Sequence, residues 1–171
     1  DARDAALYRR NAGRNVIRLW VGTNDVSIET PARTPQQVLE GIRSYCRKAK
    51  AVGFQTIVSD MISRAGNDSN MQAVNALLTT QETGCDLVLD LASDARLGAV
   101  GAYANSTYFQ ADGIHLSQAG QQNIVAPAET RAINLLSHLK GSNISPAATA
   151  ATYTMVDSDL YLPVSPAANP V

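Results

Sequence analysis

Asn15 to Val21, NVIRLWV, is a nearly continuous apolar run with β-branched residues, and it ends at Gly22. A segment with so little polar surface reads as a strand covered on both faces, the situation of a parallel sheet held between layers of helix. The downstream segments alternate helix with strand. Thr34-Pro35-Gln36-Gln37 combines a capping Thr, a proline at the first helical position and a Gln three residues after the cap, which predicts a helix start. Val38, Ile42, Tyr45, Cys46, Ala49 and Val52 then form one apolar stripe, and Gly53 supplies the stop. Gln55 to Ser59 is a second short strand. Asn67 to Asn70 can cap a helix carrying Met71, Val74, Leu77 and Leu78 that stops near Gly84, and Asp86 to Leu91 is a third strand. An irregular stretch runs to Gly113, the kind of segment on which functional loops are built. From Ser117, a good N-cap, a last helix heads towards Lys140 with Ile124, Val125, Ile133, Leu136 and Leu139 on its apolar face, and Pro127 is expected to kink or divide it. Strands alternating with helices predict an α/β domain with a parallel sheet.

The domain is expected over residues 1–141, opening with a polar helix, Asp1 to Asn11. Ser142 to Val171, rich in Ala, Pro, Ser and Thr, reads as a linker followed by a short extra strand or the start of another domain. The chain of 171 residues carries 14 basic and 15 acidic side chains without a long basic run, so nucleic acid and anionic membranes are not expected partners. No stretch reaches the ~20 apolar residues of a membrane span, and the charged N-terminal segment is not a signal peptide. The compartment is left open. Cys46 and Cys85 lie in apolar contexts without a CxxC spacing and read as two buried free thiols, giving neither a metal nor a redox site.

Two segments put reactive side chains directly against apolar structure: Gly22-Thr23-Asn24-Asp25 and Asp112-Gly113-Ile114-His115. Ligand sites in open parallel sheets gather beyond the C-terminal ends of strands, where Asn24 is expected. Its carboxamide can donate to a developing oxyanion, and Gly22 allows close approach of backbone and substrate. An Asp three residues before a His can hold Nδ1 and leave Nε2 as a general base. Each segment also has a bland reading, a strand-capping turn for Asn24-Asp25 and a loop hydrogen bond for Asp112 and His115. His138, near a helix end, is assigned no role.

Taken together and in this order, WVGTND resembles the G-x-N-D block of the SGNH (GDSL-type) hydrolases and ADGIHLSQAG resembles their D-x-x-H block. The resemblance covers about Asp1 to Lys140. It implies a three-layer α/β/α, flavodoxin-like fold, with Asn24 as oxyanion donor, Gly22 beside it, His115 as general base, Asp112 orienting His115, and Asp25 holding the loop. It implies an ester hydrolase that needs no cofactor or metal and acts on small-molecule or carbohydrate esters, short acyl and sugar-acetyl groups included.

The sequence departs from that family in having neither the Gly-Asp-Ser block with the nucleophile nor the upstream glycine of the oxyanion hole. The first strands of the fold are therefore expected to be missing, which would leave NVIRLWV with an unpaired edge. Ser27, Ser59, Ser63 and Ser117 lie near the motifs or strand ends, but none has a nucleophile context. Three readings stay open: a truncated chain, a site completed by a second polypeptide carrying the serine, or a pseudoenzyme serving as a carbohydrate- or protein-binding module. A generic flavodoxin-like nucleotide binder is disfavoured, since no glycine-rich phosphate loop is present.

Overall fold

The computed structural model describes residues 7–8, 14–28 and 31–141, with side chains as far as residue 137. The predicted N-terminal helix and the Ala/Pro-rich tail fall almost wholly outside the described residues, as do the side chains of His138 and Leu139. Three strands, β1 (Val16–Leu19), β2 (Gln55–Ser59) and β3 (Leu87–Leu89), form one sheet in the order β1-β2-β3. Both pairings are parallel: Val16 stands opposite Gln55 and Leu19 opposite Val58, and Ile57 opposite Leu87. Parallel neighbours need crossovers. Helix α1 (Pro35–Val52) supplies the first and α2 (Asp68–Thr80) the second.

The capping box at Thr34 forms as expected. Thr34 Oγ1 accepts the Gln37 N–H at 3.2 Å, Gln37 Oε1 accepts the Thr34 N–H at 2.9 Å, and Gly53 closes the helix at φ 111°. The cap of α2 works differently. Asn67 makes no capping bond with its side chain, and α2 ends at Thr80, short of Gly84. The irregular stretch contains the short helix α3 (Ala95–Gly98) and a 3-10 turn at Ala102–Ala104.

Strand side chains alternate between two cores, as period-two geometry demands. Leu19, Val58 and Val88 face Val38, Leu39, Ile42 and Cys46 of α1 and Met71, Val74 and Leu78 of α2. Ile57, Leu87 and Leu89 face the other way, onto Ala128, Ala132 and Leu136 of the last helix, α5 (Ala126–Gly141). The result is a three-layer α/β/α sandwich. Among the described residues β1 pairs only with β2, so β1 is an edge of the sheet.

Pro127 does not break the final helical segment. A turn, α4 (Gln118–Gly120), runs into a π-helical stretch, Gln121–Val125, whose last bond goes from the Ala126 N–H to the Gln121 carbonyl. The wider turn comes immediately before the proline, where the ring would otherwise press on the preceding turn and an N–H is lacking.

One expectation is overturned outright. Cys46 and Cys85 are not free thiols; they form a disulfide between α1 and the approach to β3, with Cα atoms 5.2 Å apart. They stand 39 positions apart in the sequence, with no motif that would announce the pairing. Packing of both residues into the same core, beside α1 and α2, brings the two sulfurs together.

Candidate active site

Beyond the C-terminal ends of β1 and β2 lies a cleft of about 300 Å³, lined by Trp20, Asn24, Ser63, Arg64, His115 and Gln121 among others. Asn24 and His115, more than ninety residues apart in the sequence, thus face one space. The β1 edge delivers the first and a loop entering α4 the second.

The turn after β1 is built to hold Asn24. Backbone bonds from Val26 N–H to Gly22 O (3.2 Å) and Ile28 N–H to Asn24 O (2.9 Å) coil the segment. Asp25 pairs with Arg33 at 3.2 Å, and the Asp25 carbonyl accepts the Arg33 N–H at 2.8 Å, so its role is to fasten the loop. Gly22 has φ 105°, and a Cβ there would meet Met61 Cε at 2.4 Å and Val38 Cγ1 at 2.6 Å. The glycine lets the chain turn tightly over the core; it lines a neighbouring apolar groove with Leu19, Val38 and Tyr45 and not the Asn24–His115 cleft. Asn24 Oδ1 accepts a hydrogen bond from Arg64 Nη1 at 2.9 Å. Because a guanidinium only donates, the oxygen of the carboxamide must face it, which leaves Nδ2–H as the donor on the opposite side.

Asp112 makes its own turn and orients His115 with the same carboxylate. Oδ1 accepts the Ile114 N–H at 2.9 Å and the His115 N–H at 3.0 Å, while Oδ2 lies 2.6 Å from His115 Nδ1. The bond from His115, with the two backbone N–H groups, holds the Asp112 carboxyl down at about 2. An ionised Asp112 selects the Nδ1–H tautomer, leaving Nε2 with its lone pair. Both side chains are exposed. The His115 imidazole lines the same cleft as Asn24.

None of the four serines singled out in the sequence bonds to His115 among the described residues. Ser63 lines the cleft, but its hydroxyl donates to Asp68 Oδ1 at 2.7 Å and accepts the Tyr103 N–H at 3.1 Å. Ser59 accepts from Arg18 Nε at 3.2 Å. Ser117 caps α4 and donates to the Thr107 carbonyl, and Ser27 donates to the Thr23 carbonyl. Arg64, which sequence reasoning passed over, is 6% exposed and reaches Asn24 and Thr23 from the loop after β2. The signal was positional, since Arg64 comes after an apolar strand just as Asn24 does. Among the described residues no group of three or more His, Cys, Asp or Glu side chains is placed to hold a metal ion.

A crystal structure of a carbohydrate esterase family 3 from Talaromyces cellulolyticus is similar to this chain, with a TM-score of 0.54 and 20% sequence identity over 81% of the chain. The likeness is one of fold. This chain spans 65% of the length of that one. No family model matches the chain, and no curated protein matches it in sequence.

Proposed function

We propose that this chain carries the base and oxyanion-donor half of an SGNH-type serine ester hydrolase, with the nucleophilic serine supplied from outside the present sequence. The reading rests on one juxtaposition: an Asn amide oriented by Arg64 and an imidazole oriented by Asp112 face the same cleft. The structural neighbour's description as a carbohydrate esterase supports ester chemistry on this fold; sugar-acetyl and other short acyl esters are the substrate class that we propose. In this scheme His115 Nε2 takes the serine proton as the hydroxyl attacks the ester carbonyl, and Asn24 Nδ2–H donates to the oxygen as it becomes an oxyanion. His115 then returns the proton to the departing alkoxide. Water repeats the sequence on the acyl-enzyme with the same base, and the acid leaves.

Two experiments test it. A fluorophosphonate, which tags base-activated serines, should leave Ser27, Ser59, Ser63 and Ser117 unlabelled and label a serine on a segment outside this sequence when that segment is present. In that completed protein, His115→Ala should abolish turnover of an acetyl ester. An adduct on Ser63, or full activity in H115A, would refute the assignment. The second reading, a non-catalytic carbohydrate- or protein-binding module of the same fold, is favoured by the engagement of every candidate serine hydroxyl in structural bonds; it would leave binding intact in H115A and give no adduct anywhere.

A further inference from the structure

The loop after β2 is more tightly bound than its lack of regular structure suggests. The Ser63 N–H donates to the Leu97 carbonyl at 2.7 Å. Asp68, at the start of α2, accepts from Ser63 Oγ (2.7 Å), the Arg64 N–H (2.9 Å) and the Gly101 N–H (2.7 Å). Burial works against the Asp68 carboxylate, yet these donors keep it below the usual carboxylate range. Two contacts then leave this loop in different directions. Arg64 Nη1 donates to Asn24 Oδ1 at 2.9 Å and to Thr23 Oγ1 at 3.2 Å, and the Ala65 N–H donates to the Gly113 carbonyl at 3.0 Å, within the Asp112–His115 turn. That second junction is close-packed: Gly113 has φ 64°, and a Cβ there would lie 3.1 Å from both Ala65 Cβ and Tyr103 Cδ2.

We propose that Arg64 is the positioning residue for the Asn24 amide, and that Arg64-Ala65 is the joint through which the two halves of the cleft keep register. The inference rests on the esterase reading of the cleft and adds to it a residue that acts through Asn24. A terminal carboxamide torsion is broad and roughly two-fold, so an unrestrained Asn presents its oxygen about as readily as its nitrogen. An oxygen turned to the cleft would repel an oxyanion. Arg64 has donors only, so it accepts a single orientation of Asn24. The arrangement also polarises the carboxamide, since a cation on Oδ1 makes Nδ2–H a stronger donor.

The test uses Arg64→Met, which keeps a long apolar side chain and removes the donor. In ¹⁵N-labelled protein, with the Asn24 amide assigned by its disappearance in N24D, the Nδ2 order parameter should be high in the wild type and fall below about 0.6 in R64M. The Gly113 amide resonance should stay in place, because its N–H is bonded to the Gln110 carbonyl and its carbonyl to the Ala65 N–H, neither of which involves the Arg64 side chain; general collapse would move both. Arg64→Lys, which keeps a donor in the pocket, should hold the amide between these limits. In the serine-bearing protein R64M should lower kcat by about tenfold to a hundredfold, a fraction of what loss of a whole oxyanion donor costs, with little change in KM. In an N24A background R64M should cost nothing more. An Asn24 amide as rigid in R64M as in the wild type, or a full additional loss in N24A, would overturn the proposal. Absence of turnover in the wild type would instead remove the esterase reading, and the relaxation measurement alone would then decide the positioning.

Discussion

Asp60 lies immediately before the cleft-lining segment Met61–Arg64 and is only 2% exposed. Its carboxyl accepts the Leu91 N–H at 2.8 Å and the Ala92 N–H at 3.1 Å. Burial pushes its pKa up to about 8; the neighbouring Asp90 adds to the rise, and the two backbone N–H groups oppose it. In the unfolded chain the same carboxyl titrates near 3.9. Between these values the native protein keeps a proton that the unfolded chain has released, so stability falls as pH rises. The linkage slope is about 1.4 kcal/mol per pH unit for one such proton. The stabilising contribution is fully present below about pH 4 and is exhausted as pH passes through 8. Asp60→Asn removes the titration but keeps an acceptor for Leu91 and Ala92 and a donor for Asp90. Going from pH 5 to pH 8, the wild type should therefore lose up to about 4 kcal/mol more than D60N. Urea unfolding of both proteins at unit intervals of pH, read at constant m, measures the difference. Parallel stability curves, or an Asp60 carboxyl ¹³C resonance that titrates near pH 4, would refute the reasoning.

Two further predictions concern the frame of the site. Removing the disulfide by Cys46→Ala with Cys85→Ala should cost about 4 kcal/mol, from the loop-closure entropy of a 39-residue separation; a reducing agent should lower the wild type's urea midpoint and leave the variant's unmoved. Gly22→Ala adds a methyl where Met61 and Val38 already stand, at φ 105°, and should destabilise by about 2–4 kcal/mol in thermal or urea unfolding; a loss below about 0.5 kcal/mol would mean that the loop relaxes around it.

The order of strands and helices was legible because it is written in apolar periodicity and in caps. Thr34 and Gln37 mark a helix start, and Gly53 a helix stop, by chemistry that acts over a few residues. Strand ends were less legible. NVIRLWV suggests seven strand residues, but the ladder holds only Val16–Leu19, matched to Gln55–Val58; Trp20 and Val21 leave it to enter the cleft rim and the apolar groove. What could not be read at all was set by packing at long range. The Cys46–Cys85 bond, the Asp60 carboxyl under Leu91 and the Arg64–Asn24 contact join residues 31 to 40 positions apart, with no local pattern that announces the partner. Asn24, Asp112 and His115 were singled out because their types and spacing match a chemistry; Arg64 was not, because a lone arginine has a meaning only once its acceptor is known.

That asymmetry bears on how such a cleft keeps its shape. Asn24 comes after a strand that is an edge among the described residues, and Asp112–His115 sits on a loop fixed to the sheet by no strand of its own. Among the described residues no hydrogen bond joins Asn24 to the Asp112–His115 turn. Both are tied to residues 63–65, which are in turn held by Leu97 and by Asp68, itself fastened by the Gly101 N–H. A bidentate carboxylate at the start of a well-packed helix is a firm anchor, since its partners are mostly backbone N–H groups whose positions cannot drift far. Asn24 and His115 can therefore stay in register without a bond between them, leaving the space between them open, as the proposed ester chemistry requires. Substitutions at Asp68, which touches neither Asn24 nor His115, should accordingly disturb both halves of the cleft together.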